Sequence, residues 1–129
     1  MQTIAALLAT IILIGLMIFQ ILLIMGKPYG HFAWGGQYEV LPVGYRVASV
    51  SSIMLYIFFM TVILNQAGVI ALFDPAGWPQ TAMVAITVYS FIGIGMNAIS
   101  RSKPERYTMT PIVTVLALLF LYVTKNPLS

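Results

Sequence analysis

IAALLATIILIGLMIFQILLIM, residues 4–25, contains no charged side chain, and Thr10 and Gln20 are its main polar interruptions. A helix rises about 1.5 Å per residue, so roughly 20 apolar residues cross the ~30 Å hydrocarbon core of a bilayer. The stretch therefore predicts a membrane-spanning helix. Three further uncharged runs follow at 47–64, 81–99 and 107–123. Each is about as long as a span requires, roughly 17–19 residues. Pro111 is expected in the first turn of the fourth, where a missing N–H costs little.

Composition agrees with this reading. Charged residues make up 7% of the 129 and hydrophobic ones 60%, and the mean hydropathy is +0.98. A soluble domain carries about 25% charged residues and could not cover its surface with so few. Barrel strands would be about ten residues long with alternating polarity, and nothing here alternates. The first run is also unlike a signal peptide, whose apolar core is roughly 7–15 residues behind a basic leader. Met1-Gln2-Thr3 has no charged side chain and Met25-Gly26-Lys27 is a poor cleavage site, so the run is expected to be retained. The prediction is a single all-α domain over 1–129, an integral membrane four-helix bundle.

Charge orients the bundle. With four spans, the loops at 26–46 and 100–106 share one side, which holds Lys27, Arg46, Arg101, Lys103 and Arg106. The loop at 65–80 and both termini share the other, which holds only Lys125. Basic residues resist translocation, so the first side is read as cytoplasmic. The expected location is the plasma (inner) membrane, multi-pass, with both termini outside the cytoplasm. Tyr29, Trp34, Tyr38, Tyr45 and Tyr107 at the inner ends, and Trp78 and Tyr122 at the outer ends, suit the interfacial preference of amphipathic rings. The net charge of +3 reflects this topology, since a nucleic-acid footprint needs a denser basic patch.

The loop at 26–45 stands out. It contains Gly26, Gly30, Gly35, Gly36, Gly44, Pro28 and Pro42, and loops beyond about 12–15 residues are usually functional or disordered. Its aromatic content argues against disorder. A long structured cytoplasmic loop is expected between helices 1 and 2, lying on the inner membrane surface or capping the bundle.

Several chemistries lack their residues. Cysteine is absent, which removes disulfides, thiolate nucleophiles and thiolate metal sites. His31 is the single histidine and the eight methionines are scattered, as apolar filler would be. There is no Walker loop. Neither a cofactor nor a metal is expected.

In the third span Ser90, Gly93, Asn97 and Arg101 recur at helical spacing, as do Arg46, Ser49 and Tyr56 in the second. Ala5, Ala9 and Gly15 give the first span a small-residue face. Such faces serve close helix packing. Asn97 needs a partner, with Ser49 or a backbone carbonyl as candidates.

The remaining polar groups gather at the inner mouth. His31, Trp34, Glu39, Arg46, Asn97, Arg101, Glu105 and Arg106 are the candidate binding residues, with no catalytic assignment. One reading is a solvated basic rim with Glu39 and Glu105 paired to arginines, worth about 0–1 kcal/mol per exposed pair. The other brings Arg46 and Arg101 together around an anion such as a phospholipid phosphate.

Phe32-Ala33-Trp34-Gly35-Gly36, Leu41-Pro42 ahead of Arg46, and Asn97 through Ser100-Arg101-Ser102 to Glu105-Arg106 resemble an uncharacterised family of small four-span bacterial membrane proteins. The resemblance implies fold class and brings no activity. Small multidrug exporters share the length and span number but rely on an acidic residue in the first span, where this chain has Gln20. Proton-coupled cation export is therefore not expected.

The leading functional expectation is a non-enzymatic accessory or binding protein, because the spans lack the embedded charges that mark pumps and channels. Its expected partners are the bilayer, anionic phospholipid, and a second copy or another membrane protein. A small oligomeric transporter or channel is one alternative, and a lipid-headgroup enzyme using His31 or Glu39 is another. The topology has a direct test. Green fluorescent protein fused after Ser129 should stay dark while an exterior-active phosphatase fused there works, and bright fluorescence would reverse the orientation.

Overall fold

Hydropathy sets where the helices run, and caps, glycines and prolines set where they stop. The computed structural model describes residues 1–126. Helix α1 spans Gln2–Ile24, α2 Val43–Gln66, α3 Trp78–Ala98 and α4 Lys103–Lys125, with short 3₁₀ turns at Gly30–Phe32 and Trp34–Gly36. All four long helices are long and apolar enough to cross a membrane. At about 1.5 Å per residue they measure roughly 32–36 Å, enough to span with modest tilt.

The ends have local causes. Beyond Met25, Gly26 adopts φ 85°, its N–H donates to Leu23 O and that of Lys27 to Leu22 O. This is the Schellman arrangement, which needs a left-handed residue and so favours glycine. The same pair of bonds ends α2, from Gly68 N–H to Asn65 O and Val69 N–H to Leu64 O. Pro79 lies in the first turn of α3. Helix α4 starts at an N-cap, where the Ser102 hydroxyl accepts from Glu105 N–H and Pro104 occupies the first turn.

That cap corrects one expectation. Pro111 lies inside α4, about two turns past its start, because Ser102 to Glu105 nucleate the helix upstream of the apolar run. Hydropathy delimits the lipid-embedded part of a helix, and the cap delimits the helix. Arg46 likewise falls within α2, and Lys103, Glu105 and Arg106 within α4.

The helices form a ring, with α1 packed on α2 and α4, and α3 chiefly on α4. Ala5, Ala6 and Ala9 are buried and let α1 approach the buried Ile63 of α2 and the buried Phe120 and Val123 of α4. Without a hydrophobic drive between helices in lipid, such contact relies on dispersion and fit. Phe59 anchors the centre, edge-on to Phe120 at 6.0 Å and to Tyr89 at 5.8 Å between ring centroids. Ile4, Leu7, Leu8, Ile11, Ile14, Ile18 and Ile21 lie along α1 exposed. An apolar surface that extensive is suited to acyl chains rather than water.

The long loop caps one end of the bundle. Leu23, Ala33 and Leu41 form a buried cluster with Phe19 and Tyr45 packed on it, and Phe32 meets Phe19 edge-on at 6.5 Å. Gly30 N–H donates to Glu39 O at 2.8 Å, closing the loop on itself. The Ser102 hydroxyl donates to His31 O and ties it to the start of α4. Gly30 is required sterically, because a Cβ there would run into the Tyr38 carbonyl. Gly15 in α1 has open space around it. Gly30→Ala should therefore cost about 1–3 kcal/mol and expose the loop to protease, while Gly15→Ala should be neutral or mildly stabilising. Thermal unfolding in detergent and limited proteolysis of both variants measure the contrast.

Candidate binding cavity at the basic end

Eight residues were candidates at this end, and the structure sorts them. Arg46 Nε donates to Leu41 O at 2.7 Å, and its Nη2 lies 3.1 Å from where a Cβ on residue 26 would project. Its charge thus sits against the carbonyl end of α1, where the helix dipole favours a cation. Arg101 is exposed and lies beyond α3, which ends at Ala98. The stripe of Ser90, Gly93 and Asn97 therefore stops one turn short of it. Arg106 Nη1 donates to Ser100 O at 3.3 Å, and its guanidinium lies 4.9 Å from the Tyr107 ring centroid. His31 and Glu39 are exposed, and each contributes a backbone carbonyl to the loop fold. Among the described residues these arginines bond to carbonyls and to Tyr107 rather than to Glu39 or Glu105.

Trp34, Asn97 and Glu105 are brought together. With Tyr45, Tyr89 and Ser100 they line a cavity of about 630 Å³ between the loop, α2, α3 and the start of α4. A second hollow of about 210 Å³ shares Trp34, Tyr89, Asn97 and Glu105 and reaches Gln20, Ser52 and Tyr56. On the α3 wall Tyr89, Ile92 and Met96 remain 57%, 62% and 64% exposed. The cavity therefore opens sideways, toward the acyl chains that would surround the bundle.

Its polar groups are few and well held. Glu105 is only 8% exposed, and its Oε1 accepts from the Ser100 hydroxyl. Ser100 Oγ in turn accepts from Ser102 N–H at 3.2 Å, so the α3–α4 turn fixes the carboxylate. Asn97 Nδ2 donates to Gly93 O on its own helix at 2.9 Å, settling its partner as a backbone carbonyl. Ser90 does the same to Ile86 O. Gln20 is 7% exposed, and among the described residues its Oε1 has no partner, nor has the Ser49 hydroxyl. An unpaired buried polar atom costs about 1–3 kcal/mol, so Gln20 is incompletely satisfied through its Oε1. Trp34 is the one non-glycine residue with positive φ (54°) among those described. A bulky side chain in that region stores about 1–2 kcal/mol of strain. Its ring packs on Tyr45 at 5.7 Å between centroids.

A second polar cluster, at the opposite end, was not foreseen. Asn65 Oδ1 accepts from Leu72 N–H and Phe73 N–H, and its Nδ2 donates to Phe73 O and Gln66 Oε1. Gln66 Nε2 donates to Pro75 O and Gln80 Oε1, and Gln80 Nε2 to Thr124 O. Thr87 and Thr124 pair through their hydroxyls at 2.9 Å. This network satisfies itself while joining α2, α3, α4 and the loop at 67–77, so it is scaffold. Among the described residues no group of three or more His, Cys, Asp or Glu could hold a metal ion.

The two ends should respond differently to substitution. Asn65→Leu strands two backbone N–H groups and should cost about 3 kcal/mol, while Asn97→Leu, losing one bond within its helix, should cost under about 1 kcal/mol. Reversible unfolding in mixed micelles measures both. No family model, curated protein or solved structure matches this chain. What the geometry establishes is a small, largely apolar four-helix protein built to span a membrane.

Proposed function

We propose that this chain is a non-enzymatic, multi-pass membrane protein of binding type, whose cavity at the basic end takes up an amphipathic molecule from the surrounding leaflet. The observation that carries this reading is the pairing of an apolar, laterally open wall at Tyr89, Ile92 and Met96 with buried polar groups, Glu105 on the same cavity and Gln20 on the adjoining hollow. Ligand sites commonly combine mainly apolar walls with a few convergent polar groups. A bilayer supplies molecules with that division of polarity at that depth.

The orientation belongs to the same proposal. Lys27, Arg101 and Lys103 are exposed around the mouth, and a cytoplasmic leaflet rich in anionic lipid would attract them at about 1 kcal/mol each. Both termini then lie outside the cytoplasm. The rim serves to hold the protein at the surface, while the cavity does the selecting. An enzyme acting on headgroups has less support, since it relied on His31 or Glu39 and neither lines the cavity.

Trp34 can report occupancy in a Trp78→Phe background. In nanodiscs, a neutral bromoalkyl maltoside should quench it saturably, and Asn97→Phe, which fills the cavity, should abolish the saturable part. Arg101→Gln should leave it intact. Quenching that rises linearly with probe and is unchanged by Asn97→Phe would remove the cavity as a binding site.

A further inference from the structure

We infer that the cavity selects amphiphiles whose polar end is a protonated primary amine, an inference that rests on the cavity reading above and names its ligand class. Among the described residues Glu105 is the only charged one on the walls. Of the cations at this end, Arg46 is committed to Leu41 O and Arg106 to Ser100 O and the Tyr107 ring, while Arg101 and Lys103 are exposed. Among the described residues only Oε1 of Glu105 is hydrogen-bonded, to Ser100. A buried carboxylate with no cationic partner is costly, and a ligand cation would offset that cost.

The other polar atoms point the same way. Asn97, whose Nδ2 donates to Gly93 O, keeps its Oδ1 as an acceptor, and among the described residues Gln20 Oε1 is a buried acceptor without a donor. Carboxylate and amide oxygens accept and do not donate. Set beside an uncompensated carboxylate, these acceptor oxygens favour a ligand rich in N–H groups. A primary ammonium has three, whereas a quaternary ammonium has none. The rings of Trp34, Tyr45 and Tyr89 on the same walls offer faces to a cation, an interaction worth more when water is excluded. The apolar body of the ligand would lie along Ile92 and Met96 toward the lipid.

The test uses the full chain in phosphatidylcholine nanodiscs with Trp78→Phe, reading saturable quenching of Trp34. Chain-matched bromododecyl probes carry a primary ammonium, a trimethylammonium, a neutral maltoside or a sulfate. Wild type should bind the primary ammonium about tenfold tighter than the maltoside and the trimethylammonium less tightly than the primary, with the sulfate weakest. Glu105→Gln, which can still accept from Ser100, should lower primary-ammonium affinity to that of the maltoside measured in the same variant. Tyr89→Leu, at a position already more than half exposed, should reduce primary-ammonium binding a few-fold and decides the matter if Glu105→Gln does not fold. Two further arms separate the sources of the amine. Saturable quenching by bromo-chain phosphatidylethanolamine identifies a membrane lipid, and competition by ethylamine identifies a free amine; failure of both would overturn the inference. Equal affinity for ammonium and maltoside in wild type would overturn the amine preference and leave the cavity standing. Absence of saturable quenching by every probe would strike down both.

Discussion

The turn between α3 and α4 holds the basic end together through two serine hydroxyls. Ser102 accepts from Glu105 N–H to start α4 and donates to His31 O to dock the long loop. Ser100 donates to Glu105 Oε1 and accepts from Ser102 N–H. In hydrocarbon, an open backbone group costs several kcal/mol, so a helix that begins near the interface needs its first donors covered. The covering of α4 and the docking of the loop are one event here. The cavity exists because the loop is held above the helices by that turn.

The two ends of the bundle show two uses of buried polarity. At the end away from the loop, Asn65, Gln66, Gln80, Thr87 and Thr124 meet one another's needs. Such closed networks rigidify and specify packing. At the basic end, Glu105 and Gln20 are also buried but are incompletely matched, and Trp34 is held at a positive φ beside them. Local violations of satisfaction and backbone comfort tend to gather where a protein meets a ligand. That contrast favours one end as scaffold and the other as site.

Much of the fold was legible because hydropathy is a one-dimensional signal and lipid enforces it. The four-helix class and a structured loop followed from apolar runs at 4–25, 47–64, 81–99 and 107–123 and from Tyr, Phe and Trp between 26 and 45. The start of α4 was misplaced because Ser102 and Glu105 act through a cap, which hydropathy does not register, and Pro111 was misplaced with it. The scaffold network was invisible because Gln80 finds Gln66 and Thr124 across different helices. Trp34, Asn97 and Glu105 could be placed at one mouth from topology alone. That Tyr89 and Gln20 join them, while Arg46 turns to the end of α1, depends on helix rotation and loop path. Neither is written in spacing.

Amide hydrogen exchange across residues 30–41 in nanodiscs tests most directly whether the loop is a docked roof. A docked roof should exchange slowly at Gly30, Phe32, Ala33 and Gly36, whose N–H groups are hydrogen-bonded within the loop, and faster there in Ser102→Ala. Exchange at unstructured rates in the wild-type protein, or rates indifferent to Ser102→Ala, would contradict it.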